Sequence, residues 1–315
     1  MTRGNVLEGI NMHIQWSLFC AAAIFCTLSF EVQAQDGSSA KNGRAPIYSV
    51  TVVERTTKAV NYEYRSLPTR IDFRGTVLLP KARGEATVES KRGRTEIEAK
   101  IENLPAPTRF GSEYLSYVLW AITPEGAPHN LGEVVANGAD KARLHVTTNL
   151  QAFGLIVTAE PYAAIHQPSD VVVLENEVRP DTIGKIEEIQ ARYELMPRGH
   201  YTLNIDKGMG TETSGGPKIS MDRYEAQLEL YEAQNAIAIA VTADAERYAP
   251  EIMQKARQVF NQAQRNWAGK VSPKLVVQDA REAAQTAEDA RVVAERRRQE
   301  EQAASAAAEI RSHHP

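Results

Sequence analysis

Between residues 94 and 102 polar and apolar side chains alternate without a break. Thr95, Ile97, Ala99 and Ile101 fall on one face, and Arg94, Glu96, Glu98, Lys100 and Glu102 on the other. A period of two predicts a strand with one buried and one wet face. Residues 114–122 (Tyr-Leu-Ser-Tyr-Val-Leu-Trp-Ala-Ile) are apolar on both faces, which predicts a central strand, and Thr123-Pro124-Glu125-Gly126 supplies the turn after it. β-branched and aromatic runs predict further strands at 47–53, 76–79, 84–90, 131–136, 142–148, 153–160 and 171–177. Pro80, Pro105, Pro107, Pro124, Pro128, Pro161 and Pro168 break the stretch too often for helices. Many short strands joined by turns, with no helical period between them, imply an antiparallel, Ig-like β-sandwich over residues 46–205.

After Ser220 the alternation stops, and Ala, Glu, Gln and Arg dominate. A Gly/Ser-rich linker is read over 206–219, and no Gly-Lys-Ser/Thr closes its glycines into a phosphate loop. Three helices are predicted over 220–312. The first spans 221–248, with Leu230, Ile237, Val241 and Tyr248 recurring along it. The second spans 250–267 behind Pro250, with Ile252, Ala256, Val259, Phe260, Ala263 and Trp267 on its apolar face. The third is capped by Ser272 and opened by Pro273. Along the third, Val276, Ala280, Ala283, Ala287, Ala290 and Ala294 make a heptad seam of small residues. Such a seam allows close approach but buries little area per residue. Glu288 with Arg291, and Glu282 with Gln285, are placed on the solvated side. The expected class is therefore α+β in separate domains, a sandwich followed by a helical hairpin or three-helix coiled-coil-like bundle.

The 315 residues carry a net charge of −4, which argues against nucleic acid as a partner. Residues 16–30 form an uncharged run of signal-peptide length, and Val32-Gln33-Ala34 fits a small-residue cleavage pattern. Residues 1–34 are therefore read as a signal peptide cut between Ala34 and Gln35, with an uncleaved anchor as the alternative. Residues 35–45 are a polar lead-in. Cys20 and Cys26 both lie in the leader, so cleavage leaves a chain without thiols, disulfides or cysteine-held metal.

Phe110-Gly111, Tyr114, Tyr117-Val118-Leu119-Trp120-Ala121-Ile122, Pro124-Glu125-Gly126 and Leu131-Gly132-Glu133 form one string, and Phe153 through Pro161 another. Together they resemble the extracytoplasmic β-sandwich of anti-sigma-K-type factors, in which a Tyr-x-x-Trp strand meets a Val-Thr-x-Glu-Pro strand. No sigma-binding segment precedes them, and Tyr162-Ala163-Ala164 replaces the family's Gly-Gly, so sigma-factor inhibition is not implied. A second set comprises residues 228–236, Arg247-Tyr248-Ala249-Pro250, Lys255-Ala256 and residues 280–291. It resembles the alanine-rich helical domain of bacterial envelope proteins, where a β-then-helix order precedes an OmpA-like domain. That domain has no counterpart here, so the residues supply no peptidoglycan-binding Asp and Arg.

The search for chemistry returns little. His129, His145, His166 and His200 have no zinc-type spacing, and Glu113, Glu125, Glu133 and Glu160 show no convergence. The pair His313-His314 reads as a polar tail. Tyr114, Tyr117 and Trp120 suggest a sugar-stacking platform, but their parity favours core packing. No catalytic, cofactor or metal residue is assigned. Tyr117, Trp267, Ala283, Ala287 and Ala290 are the candidate interaction residues, the alanines through a seam shared with an envelope protein or a second copy. The leading expectation is an exported, non-enzymatic envelope structural or interaction protein, periplasmic or associated with the outer membrane. The alternatives are an extracytoplasmic regulatory module of the anti-sigma type and a periplasmic carbohydrate-binding protein.

Overall fold

The computed structural model describes residues 57–62, 67–136, 140–180, 182, 185–187 and 220–313. The leader, the lead-in, the strand expected at 47–53, His200, His314 and the linker at 206–219 lie outside them. The strands are β1 (Ala59–Asn61), β2 (Thr69–Gly75), β3 (Arg83–Lys91), β4 (Arg94–Glu102), β5 (Ser116–Ile122), β6 (Pro128–Glu133), β7 (Lys141–Thr148), β8 (Ala152–Glu160), β9 (Val172–Glu177) and β10 (Lys185–Glu187). The helices are α1 (Met221–Thr242), α2 (Ala245–Tyr248), α3 (Pro250–Ala268) and α4 (Pro273–His313).

All strand pairs are antiparallel, and they run in the circuit β6-β5-β8-β9-β2-β3-β4-β7. The two ends of this circuit come back together. Ala136 bridges Ala142, and a Cβ at Gly132 of β6 would stand 3.7 Å from Val146 Cγ1 of β7. The result is a nearly closed antiparallel barrel, not an Ig-like sandwich of two sheets. Period-two strands look alike in both architectures; bulges at Leu119/Trp120 and Val157/Thr158 supply curvature that the alternation does not encode.

β1 and β10 continue from the start of β8 as a short ribbon. Asn176 holds the point where β8 changes partner from β1 to β9. Its Oδ1 accepts from the Leu155 amide and the Thr57 hydroxyl, both at 3.0 Å, and its Nδ2 donates to the Lys58 carbonyl at 3.0 Å. The predicted strand at 76–79 is instead a turn: Leu79 N–H donates to Thr76 O, and Val77 is exposed. The strand lies earlier, at β2. Gly75 allows the tight approach, because a Cβ there would lie 2.1 Å from Leu79 O.

β5 is buried at every position. Tyr117, Leu119 and Ala121 point into the barrel with Ile71, Phe73 and Ile97. Val118, Trp120 and Ile122 point out, where with Ile156 they join the helical alanines in one hydrophobic cluster. The helices are thus a layer on the barrel wall, not a separate three-helix bundle. An alanine seam buries too little area to stand alone, and the outward face of β5 completes its core.

The first predicted helix divides in two. Asp244 takes φ 61° after α1, and Ala249 leaves the helical region ahead of Pro250, as a residue before proline tends to. The predicted α1 stripe is inward in part: Ile237 is buried and Leu230 packs against the core, but Val241 is exposed, and Ala226, Glu229, Glu232, Ala233, Asn235, Ala236, Ile239 and Ala240 share the buried face. Among the described residues no helix is long and apolar enough to cross a membrane.

Candidate functional site

The polar chemistry of the described region converges on the segment 161–170, which joins β8 to β9 and lies under α1 and α4. It begins from a chain of side chains in the barrel wall. Trp120 Nε1 donates to Thr158 Oγ1 at 2.7 Å, and the Thr158 hydroxyl donates to Glu160. Glu160 Oε1 also accepts the Ser169 amide at 2.8 Å, and Ser169 Oγ donates to Ala159 O at 2.7 Å. Glu160 is fully buried and its Oε2 has no hydrogen-bond partner. Burial pushes its carboxyl up to about 8 against these hydrogen bonds, with the charge of Glu288 adding to the rise. The protonated form therefore prevails at neutral pH.

The second group is a clasp from α4. Glu288 and Arg291, expected on the solvated side, have side chains only 0% and 3% exposed. Arg291 Nε and Nη2 grip the two Glu288 oxygens at 2.7 and 2.6 Å, and Nη1 reaches Glu295 at 2.8 Å. Glu288 also accepts the Tyr162 hydroxyl at 2.6 Å and the His166 amide at 2.7 Å. The His166 ring lies 3.2 Å away through Nδ1. Burial works to raise the Glu288 carboxyl. The Arg291, His166 and Tyr162 hydrogen bonds overturn that and hold it at about 2. The same carboxylate raises the half-exposed His166.

The third group is a junction from α1. Glu232 Oε2 accepts the Ala163 amide at 2.8 Å, while Glu232 Oε1, buried, has no partner. Asn235 Nδ2 donates to Pro161 O at 2.9 Å and to Glu113 O at 3.1 Å. From β6, Asn130 Nδ2 donates to Ala163 O and Ile165 O at 2.8 and 2.7 Å. Arg281 of α4 pairs with Glu229 at 2.7 Å and with Glu225 at 3.3 Å. Glu133 of β6 accepts the Ser116 hydroxyl at 2.9 Å. Burial raises Glu133, raises Glu229 to about 6 and raises Glu232 well above the usual carboxylate range.

The second and third groups fasten the helices to the barrel, and the first braces the 161–170 segment against its own wall. The candidates from sequence fall unevenly around them. Tyr117 is buried in the barrel interior and offers no ring to a sugar; Tyr114 and Trp120 are buried as well. Ala283, Ala287 and Ala290 are fully buried inside the chain's own helical layer, so the seam offered to an outside partner is occupied within the molecule. Trp267 is half-buried, with the Arg223 guanidinium 4.6 Å from its ring centre. His129 and His145 are exposed on β6 and β7, and Glu125 lies exposed in its turn. Of His129, His145 and His166, only His166 enters the network. Ala34 and Gln35 lie outside the described residues. Among the described residues no three His, Cys, Asp or Glu are arranged to hold a metal ion.

An open groove crosses the outer face of β2, β3 and β4. Its charges pair with each other, as in Arg74 with Glu177 at 3.3 Å and Arg83 with Glu102 at 3.2 Å. Compared with protein-family models, curated proteins and solved structures, the chain matches none.

The clasp residues escaped the sequence reading because an i, i+3 Glu–Arg pair is the ordinary sign of a wet helix face. A usable signal lay in α1. Glu229, Glu232 and Asn235 recur every three residues beside Ala226, Ala233 and Ala236, so burying those alanines carries the polar side chains inward with them.

Proposed function

We propose that the protein is an exported, non-catalytic interaction module of the cell envelope, in which the barrel anchors a helical arm that engages another envelope protein. The supporting observation is the shape of α4. Its 41 residues make a helix about 60 Å long at 1.5 Å per residue. Over 276–294 it is packed into the core through Val276, Ala280, Ala283, Ala287, Ala290 and Ala294. Over 299–311 every residue is exposed. A helix exposed on all sides is expected where it bridges between bodies. The root of the arm is fixed by Glu301, which pairs with Arg247 at 2.8 Å and accepts the Tyr248 hydroxyl. Export rests on the apolar run at 16–30 and the pattern ending at Ala34.

The test places a photo-crosslinking residue at Ala304 or Ala308 in the native cell, followed by fractionation and N-terminal sequencing. The expected result is a mature chain starting at Gln35, in the envelope fraction, with a discrete adduct from the arm positions and none from Ala287. A cytoplasmic chain with its leader intact, or adducts equally frequent at Ala287, overturns the reading.

A further inference from the structure

The junction between α1, α4 and the barrel holds more carboxylates than its cations can neutralise. Glu232 is only 2% exposed. Facing it are Glu133 from β6, Glu229 on its own helix, and Arg281 from α4, with the Ala163 amide below. Glu225 stands at the outer margin, at 3.3 Å from the same guanidinium. Arg281 is thus already engaged by Glu229 and Glu225. A charge on Glu232 would meet two like charges across a buried space with no cation of its own. No donor reaches the buried Oε1, so a negative charge there would have neither water nor a hydrogen bond to stabilise it.

We propose that the Glu133–Glu229–Glu232 junction is a pH-operated latch between barrel and helical layer, closed while Glu232 is protonated and loosened when it ionises. The sign follows from linkage. A carboxyl that holds its proton more tightly in the folded protein stabilises the fold at acidic pH. That contribution is lost as pH rises from the ordinary carboxylate range through the raised folded value. The Glu288–Arg291 clasp remains charged and paired throughout this range, so opening is local. The Ala163 end of the 161–170 segment and the middle of α1 come free, while the His166 end stays attached to α4.

Hydrogen–deuterium exchange of the full chain between pH 5.5 and 9, corrected for the intrinsic base-catalysed rate, tests this directly. Protection of 161–165 and 225–240 is expected to fall about tenfold or more across the range, one pKa unit of differential proton binding being a factor of ten. Protection of β2–β4 and of 284–295 stays level. Glu232→Gln keeps an acceptor for Ala163 and cannot ionise, so its fall is expected to shrink at least threefold, leaving the smaller share of Glu229 and Glu160. A wild-type profile without the fall, or an equal fall in Glu232→Gln, overturns the latch. Should circular dichroism show that Glu232→Gln does not fold, Glu133→Gln takes its place. Removing that repelling charge is expected to shrink the fall at least threefold, and an unchanged fall overturns the proposal.

Discussion

Arg291 holds both oxygens of Glu288 from one turn further along α4, at 2.6 and 2.7 Å, in a place that water scarcely reaches. Three groups across the interface share that carboxylate: the Tyr162 hydroxyl, the His166 amide and the His166 ring. A local helix pair thereby becomes a contact spanning 122 residues of chain. A buried pair of this kind need not be better than an apolar one, but it cannot be half removed.

Arg291→Leu should accordingly be severe. It leaves the Glu288 charge buried without its cation, at a cost of about 3–5 kcal/mol. Urea unfolding would show this as a lower midpoint. Glu288→Gln with Arg291→Leu should recover part of the loss, since no bare charge remains. A single variant as stable as the parent would show that the pair does not hold the layers together.

Stability should fall away at both ends of the pH scale, for different residues. Glu288, held at about 2, contributes stability above the ordinary carboxylate range that is lost as pH falls through 2. Glu160, raised to about 8, contributes in the opposite sense: its share is present at acidic pH and lost as pH rises through 8. Midpoints of urea unfolding from pH 2 to pH 9 should therefore describe a dome. Glu160→Gln should make its alkaline limb shallower, the remainder belonging to Glu133, Glu229 and Glu232, and leave the acid limb unchanged.

The two stretches of α4 should respond differently to the same substitution. Ala287→Leu forces extra volume into a closely packed seam and should destabilise by about 1–3 kcal/mol. Ala304→Leu, on the exposed arm, should stay within about 0.5 kcal/mol of the parent. Thermal melts of the two variants side by side check this.

Removing residues 220–313 should not leave a well-behaved barrel. Val118, Trp120, Ile122 and Ile156 would be uncovered together on one wall, and an apolar patch of that kind promotes aggregation. The expected outcome is a fragment that binds ANS and has lost near-ultraviolet circular dichroism. A monomeric fragment with native near-ultraviolet dichroism would show that the barrel is independent of its helices.

Strand positions were largely legible because the period of two is a local property of the backbone. β4 runs over 94–102 as the alternation requires, and the apolar run at 114–122 contains β5, buried on both faces. Pro250 and Pro273 likewise mark the starts of α3 and α4, since proline is suited to a first helical turn. The run Val77-Leu78-Leu79 misled, because apolar residues also occur in turns, and here the turn depends on Gly75 having no Cβ.

By itself the sequence determined where the backbone extends and where it coils, through side-chain period, proline and glycine. Only the tertiary structure decided that the strands close into a barrel and that β5 turns its second face to the helices. It also decided that Glu160, Glu232 and Glu288 are buried. The reason is one of range. Periodicity marks two faces of an element but not which partner covers each, and a carboxylate looks the same whether water or Tyr162 lies opposite. Burial, and with it the charge state of these groups, is set by contacts far apart in the chain.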